Sequence, residues 1–562
     1  MFFMRALKAN LIFLGTILTT LFWMKNAALS DDQITYLVIA KRFLGIVTPP
    51  VSWNSVDIFS YFLAGAYLVT RDFFQSFLWV YALVGMIYLN AARACFRSFF
   101  KDEKAAVALS LISIVPHYTL GMTYWGFAGF EYIKGRILFM PLAVLVLKIF
   151  FAAKEEKDIH KVFLLCAAGG ILSYEAFYLL GLLILYVLMM RSREGVLFSG
   201  GQEVYSGMLW ALAVMAGIYF SNVIIGGWYH STSPRMLWDV YEKIILANRA
   251  QVLSMSHAEY VRHYWEAAYK AFWWTMFPPK GVDLVFAFGN SVFLIFFGVW
   301  GAFLQKKEKP AFFRSNVLFL ACAAAISYVY QAARFFSWKF FLTEPVIFEE
   351  VRAFKFSFFP LFLFIGSFLI YQRQRGKKTL VLCSLVLMFV SPLEVLRGLP
   401  QSARTRLQTQ ALRSLGEDGF YRSYLSKALN NSSLSESREL EAISEGLQEI
   451  SRKEGRRLPV LSDRHELESS GQEILVTYHD KRWHTETING EKFDTLVYWH
   501  LAYEEISRSL REQNIPSILR LAAKYGCNYV VMPPQAPLPK EFRPVYEGTH
   551  YGLYRIENKS VL

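Results

Sequence analysis

The sequence predicts a mainly α-helical, polytopic membrane protein over residues 1–395, followed by an extracytoplasmic α/β domain over residues 396–562. Three observations predict it. Of the 562 residues, 54% are hydrophobic and only 19% charged. Apolar runs recur throughout the first 395 residues, and after Pro392 the composition turns polar. The net charge of +14 does not indicate nucleic-acid binding, because Lys and Arg gather in short connections between apolar runs, as membrane topology requires. The five cysteines (Cys95, Cys166, Cys322, Cys383 and Cys527) are widely scattered, so neither a disulfide framework nor a zinc site is indicated.

Apolar runs fall near residues 9–26, 73–92, 105–121, 137–153, 162–174, 175–190, 206–226, 283–304, 315–331, 354–371 and 378–393. That makes about eleven spans, the fifth and sixth short for a hydrocarbon core of ~30 Å. Residues 9–26 resemble a signal peptide, but no small-residue cleavage site stands before Ser30, so they read as a retained anchor. With Arg5 and Lys8 inside, every second loop is cytoplasmic. Those loops carry Arg93, Arg97, Lys101 and Lys104; Lys154, Lys157 and Lys161; Arg191 and Arg193; Lys306, Lys307, Lys309 and Arg314; and Arg373, Arg375, Lys377 and Lys378. The positive-inside rule then puts the N-terminus in the cytoplasm and residues 396–562 outside.

The outward loops differ in character. The first begins Leu29-Ser30-Asp31-Asp32-Gln33-Ile34, two adjacent carboxylates just beyond the first span. A structural reading takes Ser30 and Gln33 as a capping box and Leu29 and Ile34 as a hydrophobic staple. A functional reading takes the acids as chemistry held at the membrane surface. Phe59 to Thr70 is too short to span and is expected along the interface. The loop at 117–136 offers His117, Tyr124, Trp125, Glu131 and Arg136; that at 227–282 offers Arg249, His257 and His263. The loop at 332–353 holds Arg334, Lys339, Glu349, Glu350 and Arg352, with Lys355 just beyond. Cys166 to Gly170 permits close helix approach, and Ser173-Tyr174-Glu175 marks the turn of a short pair, so Glu175 is expected below the outer surface facing a cavity.

The tail reads as helices at 402–416 and 435–453, a strand at 474–478, and a helix from Ile515 to Tyr525 closed by Gly526. A strand from Asn528 to Met532 and a hairpin of Arg543–Glu547 with Tyr551–Ile556 complete it. It carries no metal spacing, glycine-rich phosphate loop or serine elbow. A lid or acceptor platform is the expected role.

Carboxylates early in the chain and cations late in it suit a reaction in which a base takes a proton and a cationic site holds an anionic leaving group. Asp32-Gln33-Ile34-Thr35-Tyr36 after a retained first span resembles the Asp-Glu-x-x-Tyr opening of the GT-C superfamily of membrane glycosyltransferases. Gln33 stands where that pattern has a second acid, and Asp31 is extra. Asn248-Arg249 through His257 resembles a charged periplasmic loop of some bacterial members, and Glu350-Val351-Arg352-Ala353-Phe354-Lys355 the arginine that begins a late span. Thr477 to Lys481 with Trp499, and Leu519 to Met532, resemble their C-terminal domain.

The resemblance implies a GT-C-like fold in the cytoplasmic (inner) membrane and transfer of a sugar from a polyprenyl-phosphate carrier to a lipid, glycan or protein acceptor on the outer face. It implies Asp32 or Asp31 as the base, and Arg352 with Lys355, Arg249 or Lys339 on the carrier phosphate. His117, Tyr124, Trp125, Glu131, Glu175 and His257 stand as candidate substrate contacts. Each has a plainer reading: Arg352 and Lys355 as interface anchors, Tyr124 and Trp125 as belt aromatics, His117 as the partner of a local backbone group. No cofactor is required, although Asp31, Asp32 and Glu131 could hold a divalent ion. The alternatives are a transporter or flippase of lipid-linked saccharides, which favours internal repeats, and a noncatalytic envelope assembly protein.

Overall fold

The computed structural model describes residues 2–24, 31–46, 58–118, 124–129, 133–153, 155–194, 202–226, 291–341, 352–389, 434–475, 487–488, 491–492, 505–534 and 539–557. In chain order the helices are α1 (Phe2–Met24), α2 (Asp31–Phe43), α3 (Ile58–Thr70), α4 (Phe73–Phe100) and α5 (Glu103–Ile114). After the strands β1 (His117–Tyr118) and β2 (Tyr124–Trp125) come α6 (Phe139–Ala152), α7 (Glu156–Ala168), α8 (Glu175–Glu194) and α9 (Gln202–Gly226). Then follow α10 (Val292–Glu308), α11 (Pro310–Phe341), α12 (Phe358–Gln374) and α13 (Lys378–Phe389). Every predicted apolar run therefore carries a helix among the described residues. Among the described residues four helical stretches are long and apolar enough to cross a membrane: Phe73–Phe100, Gly135–Ala152, Pro310–Val329 and Ala353–Gln374. The chain is a membrane protein by that measure. It divides into two compact units, one built from α1, most of α4 and α5 to α13, the other from α2, α3 and the C-terminal segment.

In the first unit, α5 is shorter than the predicted 105–121 run. Pro116 bars the preceding residue from helical geometry, and Val115 is extended at ψ 138°. The chain turns into β1, antiparallel to β2 with His117 opposite Trp125. Gly126, at φ +92°, follows β2 and lies against the end of α5, where a Cβ would collide with Val115 O. Phe127 and Ala128 both donate to Ile114 O at 2.8 Å, so the helix end is satisfied internally. At the opposite end of α5, Asp102 caps the helix by accepting from Ala105 N and also pairs with Arg373 through two oxygens. That guanidinium holds the Asp102 carboxyl below its ordinary range.

Helices α10 and α12 run side by side in one direction, with Gly298 against Leu361 and Gly301 against Phe364. Gln305 donates to Ser367 Oγ at 3.0 Å and accepts from Asn316 of α11 at 2.8 Å. Small residues and polar cross-links of this kind hold helices together where burial against lipid supplies little drive. Phe359 of α12 meets Phe99, Phe151 and Phe319 at ring distances of 5.9, 5.7 and 6.2 Å, which brings four helices into one aromatic layer.

In the second unit, α14 (Leu434–Glu454) covers a five-stranded sheet of order β4-β3-β7-β9-β8: β3 (Pro459–Leu461), β4 (Glu473–Leu475), β7 (Tyr529–Met532), β8 (Phe542–Glu547) and β9 (Gly552–Ile556). A separate pair, β5 (Thr487–Ile488) and β6 (Glu491–Lys492), completes the strands described. Leu440, Ile443 and Leu447 of α14 bury against Val460, Ile474, Val531 and Leu553. α15 (Ile515–Tyr525) is ended by Gly526 at φ +70°, as its sequence predicted, and Asn514 caps its start. The predicted hairpin is β8–β9. β3, which supplies two parallel pairings, was not foreseen. The predicted helix at 402–416 lies outside the described residues. Lys41 of α2 is buried in this unit. Burial pulls its pKa below the ordinary lysine value against the opposing pull of Glu441 and Glu445 on α14.

Two outcomes test the fold. A Cβ at Gly301 would collide with Phe364 O, so Gly301→Ala should destabilise the detergent-solubilised protein by ~1–3 kcal/mol. Gly217→Ala, with open space around it, should leave the melting temperature unchanged. For topology, Cys527 is buried and a poor reporter, whereas the Lys453 side chain is 73% exposed. In a Cys383→Ser background, Lys453→Cys should react with an impermeant thiol reagent on intact spheroplasts, and Lys307→Cys only after permeabilisation. The reverse pattern would invert the predicted orientation.

Candidate functional site

Three segments far apart in sequence bring charge together inside the first unit. Glu175 is the first residue of α8, where a carboxylate suits the positive end of the helix dipole. Its backbone N–H donates to Ser173 Oγ at 3.3 Å. Lys355 lies in the 3-10 helix Arg352–Ser357 that leads into α12. Its ammonium forms an ion pair with Glu175 Oε1, and both side chains are buried, at 1% and 0% exposure. Arg136 lies in the 3-10 helix Gly135–Leu138 that leads into α6. Its Nη1 stands 4.0 Å from the same carboxylate oxygen, and its side chain is 17% exposed. Each of the three thus sits where an apolar helix begins.

The β1–β2 pair lines this cluster. The Arg136 guanidinium lies 3.5 Å from the ring centre of Tyr124, which is half-buried. On the neighbouring residue, Trp125 is fully buried; its Nε1 donates to Tyr88 OH at 2.8 Å, and Tyr88 in turn donates to Ser113 O at 3.0 Å. The Trp125 ring meets Phe356, next to Lys355, at 6.0 Å. His117 is buried with Nε2 donating to Ile112 O at 2.8 Å, the backbone partnership its position after Pro116 foretold. His117 and Trp125 are thus buried, whereas Tyr124 and Arg136 are half-buried.

Of the remaining predicted residues, Asp31 and Asp32 open α2, Arg352 opens the 3-10 helix three residues before Lys355, and Lys339 lies late in α11. Their side chains lie outside the described residues, as do Glu131, Arg249 and His257 altogether. Among the described residues no three His, Cys, Asp or Glu side chains are placed to hold a metal ion. Sequence reasoning named Arg136 in its loop but gave it no role. The available signal was a guanidinium immediately before an apolar run, on the same face as Glu175.

Chemically, the cluster places two cations around one carboxylate in an apolar bundle. The low dielectric makes each charge sensitive to its neighbours. Glu175 Oε2 accepts no hydrogen bond among the described residues.

No protein-family profile and no curated protein matches the chain. Among solved structures it is similar to the crystal structure of the Archaeoglobus fulgidus oligosaccharyltransferase in complex with Zn and sulfate, with 11% identity, 98% of this chain and 73% of that one covered, and a TM-score of 0.46. An identity and a superposition that low assign the chain to no family.

Proposed function

We propose that the chain is an integral-membrane glycosyltransferase of GT-C type. It takes a sugar from a polyprenyl-phosphate carrier and passes it to a lipid, glycan or protein acceptor on the outer face of the cytoplasmic membrane. The observation that carries the proposal is the buried Glu175–Lys355 pair with Arg136 beside it. Ionisable residues inside an apolar helical bundle are costly and mark functional positions by default.

In this reading Asp32, or its neighbour Asp31, accepts the proton of the acceptor hydroxyl. The segment headed by Arg352 receives the carrier phosphate, because a guanidinium matches two phosphate oxygens at once. Arg249 and Lys339 are the further cations the motif resemblance offers. Stabilising the departing phosphate and removing the hydroxyl proton together lower the barrier to transfer without any metal being invoked.

Purified protein assayed against a panel of lipid-linked sugars tests this. The wild type should hydrolyse or transfer at least one. Asp32→Asn keeps size and polarity but cannot take a proton, so turnover should fall by ~10²–10⁴-fold, with Asp31→Asn as the neighbour control. Arg352→Ala should weaken donor binding in a folded protein, and Arg352→Lys should restore it only in part. Full activity in both Asn variants would remove the carboxylates from the mechanism. Movement of intact lipid-linked saccharide across vesicles without bond cleavage would make the protein a transporter.

A further inference from the structure

We infer that Glu175 is a positioning residue: by clamping Lys355 it fixes the 3-10 helix Arg352–Ser357 in the place from which Arg352 meets the donor phosphate. The inference rests on the glycosyltransferase reading for the identity of the ligand, but the clamp itself is argued from geometry.

The ammonium of Lys355 is 1% exposed and ion-paired to a carboxylate that is 0% exposed. An ammonium so enclosed is directed at Glu175 rather than at a ligand entering from outside. The segment on either side is equally interior, with Ala353 and Phe356 at 0% exposure and Phe356 packed on Trp125. Lys355 is thus the one charged group among the buried residues of this short helix. The second cation near Glu175, Arg136, stands at 4.0 Å, beyond hydrogen-bond reach. Position is the critical quantity here, because a 3-10 helix of six residues is too short to hold itself in place.

The clamp predicts a sign opposite to simple electrostatics. Removing a negative charge close to an anion site should tighten anion binding. If Glu175 acts by holding the cationic segment, its neutralisation loosens that segment and weakens binding instead.

Hydrogen–deuterium exchange across residues 352–357 and binding of a sugar-free polyprenyl phosphate to the full chain in nanodiscs test both parts. Glu175→Gln and Lys355→Met each leave one buried charge without its partner. Exchange in the segment should accelerate at least ~10-fold in each, and polyprenyl phosphate should bind at least ~10-fold more weakly. The double variant Glu175→Gln/Lys355→Met leaves no unpaired buried charge but still lacks the clamp, so exchange should stay faster and binding weaker than in the wild type. It also serves if either single variant fails to fold.

Exchange in Glu175→Gln at the wild-type rate overturns the clamp. So does unchanged or tighter binding of polyprenyl phosphate to that variant. A double variant that exchanges and binds as the wild type overturns it too, because the single-variant effects then come from an unpaired buried charge, and so does weak binding by Lys355→Met at the wild-type exchange rate, which makes Lys355 a direct phosphate ligand. If the wild type does not bind polyprenyl phosphate, the glycosyltransferase reading fails while the exchange measurements still decide whether Glu175 positions the segment.

Discussion

A carboxylate taken completely out of water must be met by a cation or it does not remain charged, and Glu175 imposes that condition on the first unit. Moving an ion into a low-dielectric interior costs several kcal/mol even after relaxation. The cost is offset only if a partner arrives in good geometry, and here Lys355 arrives from 180 positions along the chain. The entry to α12 is thereby tied to the start of α8. Arg136, at the entry to α6, extends the same group. Three apolar helices begin at one charged point, and their positive dipole ends face the same region.

Everything nearby accommodates that convergence. Pro116 stops α5 and Gly126 lets the chain after β2 pack on the end of that helix, where the strand pair brings Tyr124 over Arg136 and Trp125 against Phe356. Gly169 lies against Phe139 of α6 and Gly170 against Phe177 of α8, which lets the end of α7 approach both helices closely. These are close contacts between backbones and rings, where an added methyl group would collide. Apolar packing supplies most of the adhesion, and the ion pair selects which arrangement is adopted.

The sequence was most legible where the physics is local. The helix Ile515–Tyr525 has an Asn cap before Pro516 and a glycine after its last turn, and its boundaries appear as read. The final hairpin follows from alternation around Gly548. The apolar runs located helices for the same reason, since burial in lipid depends only on a window of composition. Legibility failed where a partner is distant. Nothing around Lys355 announces that its counter-ion is Glu175, so the residue looked like an interface anchor or a phosphate ligand. Three-residue β3 is stabilised by neighbours from both sides of the sheet and has too few residues to show a period of its own.

How a buried carboxylate is satisfied separates a fastener of the fold from a group poised to respond. Glu439 accepts from the backbone N–H groups of Thr549, His550 and Tyr551 at 2.9, 2.7 and 3.0 Å, so the loss of any one bond leaves two. Asp102 is held by a helix-cap N–H and both arms of Arg373. Both acids are redundantly bonded, and their geometry does not depend on one partner. Glu175 is more deeply buried than either, yet it meets only Lys355 closely, with Arg136 at 4.0 Å, and its Oε2 accepts no hydrogen bond among the described residues. A carboxylate held closely by one partner depends on where that partner stands, because Coulomb attraction falls with distance and Arg136 is farther away. That sensitivity would be a liability in a purely structural contact. At the entrance to the segment headed by Arg352, the same dependence ties the position of a short helix to the start of α8.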